Sequence, residues 1–295
     1  MLMIKSGIIN VLKPPHISSN GVTVQIRHAL SDTLGKGIKV GHAGTLDPAG
    51  MGVLPVTVGK ATKLFDYFLQ FNKKYRAEFV FGCTTDTLDS YGSITERQQS
   101  EKFSIDQIKS ACARLTGNID QLPPNYSAKS VNGVKAYDLA RKGISAELKT
   151  KTVKVTNFKP VCCSGENSWI FDIECSSGTY IRSLCRDLAK ELNTIGYMSW
   201  IIRTECHGFL IQDAVSLSDV KDSPFDYLKP IDDYIKDIPS IIADTAQNKQ
   251  VLNGAEISAK GYKDGIYSVY LSEKLVGLYK VCNEVAKLEV WLHDD

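Results

Sequence analysis

Six glycines, Gly35, Gly37, Gly41, Gly44, Gly50 and Gly52, punctuate residues 35–52. Glycine loses more backbone entropy than any other residue when it is held in a helix or strand. The stretch therefore predicts a long loop, and the regular elements must be arranged around it. The run Gly52–Val58 behind it is apolar and β-branched, hence a strand. Ahead of it, Gly7–Leu12 predicts another strand, ended by Lys13-Pro14-Pro15. Ser18-Ser19-Asn20 offers N-cap side chains for an amphipathic helix reaching about Ser31.

Strands and helices alternate further on. A short helix is expected over Ala61–Leu69 and a strand over Tyr75–Phe81. Ser104–Leu115 reads as a serine-capped helix with Ile105, Ile108, Ala111, Cys112 and Leu115 on one face. Trp169–Cys175 reads as a strand. Thr179–Leu192 reads as a helix buried along Ile181, Leu184, Leu188 and Leu192, and Trp200–Arg203 as a strand returning to the core. The acidic stretch from Asp213 to Asp244 is expected to be a surface connection. A helix over Ala246–Leu252 and β-rich runs at Gly265–Leu271, Leu275–Val281 and Ala286–Leu292 predict a small β-module. The fold expected is α+β: a mixed, largely antiparallel sheet in a domain of residues 1–235, and the β-module in residues 236–295.

The chain has 295 residues, 43% hydrophobic and 23% charged, the balance of a globular protein with a core. No apolar run approaches the ~20 residues that span a bilayer. The first residues hold no apolar stretch of signal-peptide length, so a cytoplasmic protein without membrane attachment is expected. The eight cysteines form no C-x-x-C pair and the five histidines show no H-x-x-x-H spacing, which disfavours a metal site. Neither a dinucleotide fingerprint nor a P-loop is present. Charge is uneven: residues 1–160 carry 22 Lys+Arg and 12 Asp+Glu, whereas residues 161–295 carry 13 and 21. A basic half attracts polyanions, because each neutralised phosphate releases condensed counterions.

The glycine-rich stretch also carries the densest chemical signal, Gly41-His42-Ala43-Gly44-Thr45-Leu46-Asp47-Pro48-Ala49-Gly50-Met51-Gly52-Val53-Leu54-Pro55-Val56. Its glycines allow positive φ and close approach of a ligand. Asp47 sits between a buriable leucine and a proline that fixes φ, so one carboxylate is held rigidly beside an apolar strand. A lone aspartate in such a loop is ordinarily a turn or cap residue.

The string G-H-A-G-T-L-D-P, with G-V-L-P-V and Gly59-Lys60-Ala61-Thr62-Lys63 after it, resembles the nucleophile motif of the TruB-type pseudouridine synthases. Other segments resemble that family in the same order. They are Lys13-Pro14 with Ser18-Ser19-Asn20, Lys73-Lys74-Tyr75-Arg76, the turn Asp86–Gly92, Gln121–Ala128, Ser177–Arg182, and Arg203-Thr204 with Gly208-Phe209. The chain departs from the pattern at Lys129-Ser130, where the order is reversed, and at Ile202, where the family has the first arginine of a pair.

The resemblance implies a stand-alone enzyme that isomerises uridine 55, in the T-loop of transfer RNA, without cofactor or metal. It implies that Asp47 is the essential carboxylate. Arg182 is then the cation that keeps Asp47 ionised in a closed pocket. Tyr75 is expected under the uracil, near carbon 5 as a proton acceptor, and Tyr180 in the base pocket. A T-loop base must be flipped out, and His42 is expected to fill the vacated stack. Lys13, Lys60, Lys63, Lys73, Lys74, Arg76, Lys129 and Arg141 are expected phosphate contacts. The C-terminal module resembles a PUA-like RNA-binding domain, and a monomer is expected. Two alternatives stand beside this reading: a guide-dependent, dyskerin-type synthase, and a non-catalytic chaperone that refolds transfer RNA.

Overall fold

The computed structural model describes residues 5–68, 71–99, 102–127, 130–131, 134–135, 148–244 and 246–293. Its main sheet has the strand order Val215–Ser216, Gly7–Lys13, Met51–Val58, Gly196–Cys206, Lys73–Phe81, Ser168–Cys175, Lys151–Gly165, Gly117–Gln121. Val40–His42 pairs with Met51–Val58, and Phe209–Leu210 with Gly196–Cys206. Two pairings are parallel, Val215–Ser216 on Gly7–Lys13 and Gly196–Cys206 on Met51–Val58; the rest are antiparallel. The sheet is thus mixed and largely antiparallel, as the sequence predicts.

Helices cover the sheet. Ser19–Leu34 is capped by Ser18, whose hydroxyl accepts the Gly21 N–H, and runs one turn further than expected. Its buried Val22, Ile26 and Leu30 pack on Ile9, Val11, Leu54 and Val56. Ile105–Arg114 starts with a full capping box between Ser104 and Gln107. Ile181–Glu191 buries Ile181, Leu184, Cys185 and Leu188 against Ala77, Phe79, Phe171 and Met198. Strand alternation fixes what faces this core. In Lys73–Phe81 the buried positions are Lys73, Tyr75, Ala77, Phe79 and Phe81. A lysine and a tyrosine therefore point the same way as the core residues, at the strand end nearest the glycine-rich loop.

Two expectations need correction, and one strand was not expected at all. Residues 59–68 form a 3-10 helix, Gly59–Leu64, and one α-turn, Phe65–Phe68, rather than a single helix. Lys151–Gly165 is a long strand that the sequence did not suggest. The acidic stretch is not a surface connection. It contributes a strand to the main sheet, and Leu217, Val220, Leu228, Ile231, Ile235 and Ile238 are buried.

The C-terminal strands form a second sheet in the order Ser240–Ile242, Gly265–Leu271, Lys274–Cys282, Val285–Trp291, Ile257–Ser258. This module shares a core with the main sheet, where Leu278 and Leu292 pack with Ile8, Val53, Phe68, Phe209 and Ile231. No helix among the described residues is long and apolar enough to cross a membrane.

Candidate active site

The glycine-rich loop joins Val40–His42 to Met51–Val58, the strand that pairs with both Gly7–Lys13 and Gly196–Cys206. A buried loop leaves backbone carbonyls without partners unless donors are brought to it. Two cations supply them. Arg203 is fully buried and donates to Val53 O at 2.7 Å, Gly44 O at 3.0 Å and Thr45 O at 3.2 Å. Lys13, also fully buried, donates from Nζ to the carbonyls of Pro14, Pro48 and Gly50. Ser19 Oγ closes the loop by donating to Leu46 O and accepting the Leu46 N–H, both at 2.8 Å. Gly52 is needed where the loop meets the sheet: its φ is +106°, and a Cβ there would lie 2.3 Å from Arg203 O.

Asp47 emerges from this frame with its side chain 38% exposed. Arg182 Nε lies 2.8 Å from Asp47 Oδ2 and 3.7 Å from Asp89 Oδ2. The Nε–H is not aligned on either oxygen, so the contact is an ion pair without a formed hydrogen bond. The other two nitrogens fix the guanidinium by donating to Thr87 O at 2.9 Å and Tyr126 O at 3.0 Å. Arg182 is placed by its helix. The preceding Tyr180 is gripped by Gln121, which accepts the Tyr180 N–H at 2.8 Å and donates to Tyr180 O at 3.1 Å.

Asp47, Tyr75, Tyr180 and Arg182 line one cavity of about 250 Å³, with Leu46, Lys73, Met198 and Ile201. That is somewhat below the usual range of ligand pockets, roughly 300–1,000 Å³. Burial pushes the Tyr75 phenol well above the usual tyrosine range, although Arg203 beside it acts the other way. Burial also raises the Tyr180 phenol. Both rings are neutral at physiological pH.

The remaining predicted residues sit elsewhere. His42 ends its strand outside the cavity wall. Burial and then Arg203 lower its pKa, and its Nδ1 has no hydrogen-bond partner, so the ring is neutral. Lys13 is not a phosphate contact: it is buried beneath the Asp47 loop, and burial lowers its pKa to about 8 against the opposing pull of Asp47. Lys60 donates to His293 O and Lys63 to Trp291 O, so both reach the C-terminal module. Lys129 and Arg141 lie outside the described residues.

Of three further residues of the site, Lys73 was expected only as a phosphate contact, and Asp89 and Arg203 were given no role. Lys73 lines the cavity wall, donates to Ser177 Oγ at 2.9 Å and has its pKa lowered by burial. Asp89 accepts from Thr87 Oγ1 and the Tyr91 N–H and turns its other oxygen toward Arg182. Arg203 holds the loop. All three stand in segments with family resemblance, which is the signal that could have found them. No cluster of three or more metal-ligating side chains occurs among the described residues.

Comparison with known proteins agrees with this geometry. A family model described as "TruB family pseudouridylate synthase (N terminal domain)" matches residues 31–181. The chain is 40% identical over 249 residues to the tRNA pseudouridine synthase B of Caldanaerobacter subterraneus subsp. tengcongensis, covering 84% of this chain and 85% of that one. It is 38% identical over 288 residues to the protein of the same name from Alkaliphilus oremlandii, covering 95% and 94%. Its fold is similar to a chain in the crystal structure of a Cbf5–Nop10–Gar1 complex, with a TM-score of 0.72, 23% identity, and coverage of 99% of this chain and 85% of that one.

Proposed function

Because the chain belongs to the TruB family of pseudouridylate synthases, we propose that it isomerises uridine 55 in the T-loop of transfer RNA, with Asp47 as the essential carboxylate. The observation that carries this reading is the pairing of Asp47 with a buried arginine in the wall of a cavity that two neutral tyrosines also line. The transfer RNA substrate is taken from the names of the relatives.

The net reaction breaks the bond from ribose C1′ to N1 of uracil, forms a bond from C1′ to C5, and moves the C5 proton to N1. Atoms and electrons balance within the substrate, so the chemistry requires no redox carrier or phosphate donor. Attack on the ribose, attack on the base and removal of a ribose proton all need an ionised carboxylate beside the sugar. Asp47 meets that need, with Arg182 on one oxygen and the carboxylate still partly open. The target base must leave its stack to reach the cavity. Tyr75 and Tyr180 offer flat neutral faces to receive it, and Leu46, Met198 and Ile201 exclude water around it. A neutral Tyr75 takes the C5 proton only in a step that delivers its own phenolic proton to N1, which leaves the phenol neutral and matches the net reaction.

The test is tritium release from carbon-5-labelled uridine in a bare transfer RNA transcript. The wild-type chain should release label from the T-loop uridine, and Asp47→Asn should release none. Release that requires an added guide RNA would favour the guide-dependent alternative. Tight binding without release would favour the chaperone.

A further inference from the structure

Two exposed rings on segments that reach the Asp47–Arg182 pair have no part in the chemistry above. His16 follows Lys13-Pro14-Pro15 and adopts φ +67°, in the left-handed region that non-glycine residues seldom occupy. Its N–H donates to Pro48 O at 2.9 Å, one residue beyond Asp47. Tyr91 lies in the turn Asp86–Gly92 and is 49% exposed. Its N–H donates at 3.0 Å to Asp89 Oδ1, while Asp89 Oδ2 faces Arg182. The backbone N–H of each residue is therefore tied by one hydrogen bond to a residue flanking or facing the Asp47–Arg182 pair.

The rings also hold each other. Their planes are 10° apart with centroids 5.4 Å apart, and the Tyr91 hydroxyl is hydrogen-bonded to His16 Nδ1. That separation is an offset arrangement, which leaves ring faces uncovered. Isolated exposed aromatic residues are ordinary. Here, however, a strained backbone holds two rings parallel without placing either in the core. Residual strain beside a reaction site points toward function.

We propose that His16 and Tyr91 form a stacking ledge for an unpaired base of the RNA next to the uridine that enters the cavity; this rests on the reading of the site as a pseudouridine synthase. Flipping one nucleotide out of a loop unstacks its neighbours. A flat pair on segments that reach the Asp47–Arg182 pair gives one of those neighbours a new face to lie on. Aromatic platforms of this kind accept any base, because every base has a π-face. The ledge thus fixes the strand where it turns into the cavity, and it reads position rather than sequence.

The test uses a T-arm stem-loop transcript, with binding measured separately from turnover. Tyr91→Ala and His16→Gly should each weaken Kd about tenfold, the loss expected for one stacked base. The slope of log Kd against log salt should not change, since no phosphate contact is removed. Tyr91→Phe, which keeps the face and breaks the bridge to His16, should retain most of the affinity. His16→Gly places glycine where φ is positive, so its thermal stability should equal or exceed that of wild type. The decisive step is an abasic substitution scanned through the nucleotides on either side of the target uridine. At one position the abasic RNA should bind wild type as weakly as intact RNA binds Tyr91→Ala, with no further loss when the two are combined.

If the pair is only a clasp between two loops, both variants will bind intact RNA as wild type does, or their losses will be the same on every abasic RNA. Either result overturns the ledge. Wild-type turnover of the same stem-loop reports on the catalytic reading independently. An active wild type whose variants bind normally would sink the ledge alone, and an inactive wild type would sink the reading of the site.

Discussion

Replacing Arg182 with methionine removes a cation whose side chain is 5% exposed from between two carboxylates and two carbonyls. Unit charges about 4 Å apart attract by ~4 kcal/mol at an effective dielectric of about 20. Asp47 is 38% exposed, so solvent screens part of that attraction and ~1–3 kcal/mol is a fairer share for the pair. The Thr87 and Tyr126 carbonyls also lose their donors, at ~1–3 kcal/mol for each one that stays dry. Arg182→Met should therefore destabilise the fold by ~3–5 kcal/mol in urea unfolding, the usual result of deleting one partner of a buried pair. Asp47→Asn in the Arg182→Met background should recover ~1–3 kcal/mol, because it removes the carboxylate left without a counter-charge. The four-way cycle isolates that coupling. A coupling below about 0.5 kcal/mol would refute the argument and leave Arg182 as an anchor for two carbonyls only. A buried guanidinium is also a poor phosphate contact, so the salt dependence of RNA binding should keep its slope in this variant.

Other perturbations probe the frame around Asp47. Asp47→Asn alone should abolish turnover with near-normal RNA affinity, since it removes a charge at constant volume; single-turnover activity within tenfold of wild type would contradict the assignment. Gly52→Ala puts a Cβ 2.3 Å from Arg203 O at φ +106°, so it should destabilise by ~3 kcal/mol or more and slow catalysis about 100-fold by shifting the loop that Arg203 holds. Lys13 has a folded pKa of about 8 against an ordinary 10.5. Between those values the unfolded chain binds the extra proton, so this group's contribution makes stability rise with pH across the window, which urea midpoints from pH 7.5 to 10 would register. Over the same range the loop loses a cation near Asp47. The single-turnover rate should fall above about pH 8 in wild type, and that alkaline limb should vanish in Lys13→Arg. Removing residues after Asp244 uncovers Ile8, Phe209 and Ile231 from Leu278 and Leu292, so the truncated chain should melt earlier and aggregate, as calorimetry and size-exclusion chromatography would report.

Elements with a clean period were legible before the structure. Lys73–Phe81 alternates along its whole length, and Ile105–Arg114 carries both a helical stripe and a capping box. The strand Lys151–Gly165 was not legible, and its register explains why. Irregularities between Val155 and Asn157, and between Pro160 and Cys162, break the alternation. Its last residues are exposed, so the apolar signal fades as well. The stretch from Asp213 to Asp244 misled for another reason. Its buried residues lie on short turns with no sustained period, and acidic side chains between them dominate the composition.

For the site, motifs drew attention to Asp47, Tyr75, Tyr180 and Arg182, and the fold brings those four to one cavity from three separate segments. The basic residues were harder, because sequence reports a charge and not its partner. Lys13 resembles a phosphate contact until the loop is seen to turn the Pro48 and Gly50 carbonyls toward its ammonium. A glycine-rich loop packed into a core demands such donors, and long cations are the side chains that reach several carbonyls at once. That demand places Lys13 and Arg203 against the loop; with Lys73 and Arg182 they stand near two carboxylates, Asp47 and Asp89, four cations against two anions. Breaking the C1′–N1 bond leaves electron density on the uracil, so a site already biased toward positive potential favours the reaction as charge develops. On the proposed reading, the residues that hold the loop thus also set the field around Asp47. Changing Lys13 or Arg203 should consequently alter the rate even though neither needs to touch the RNA.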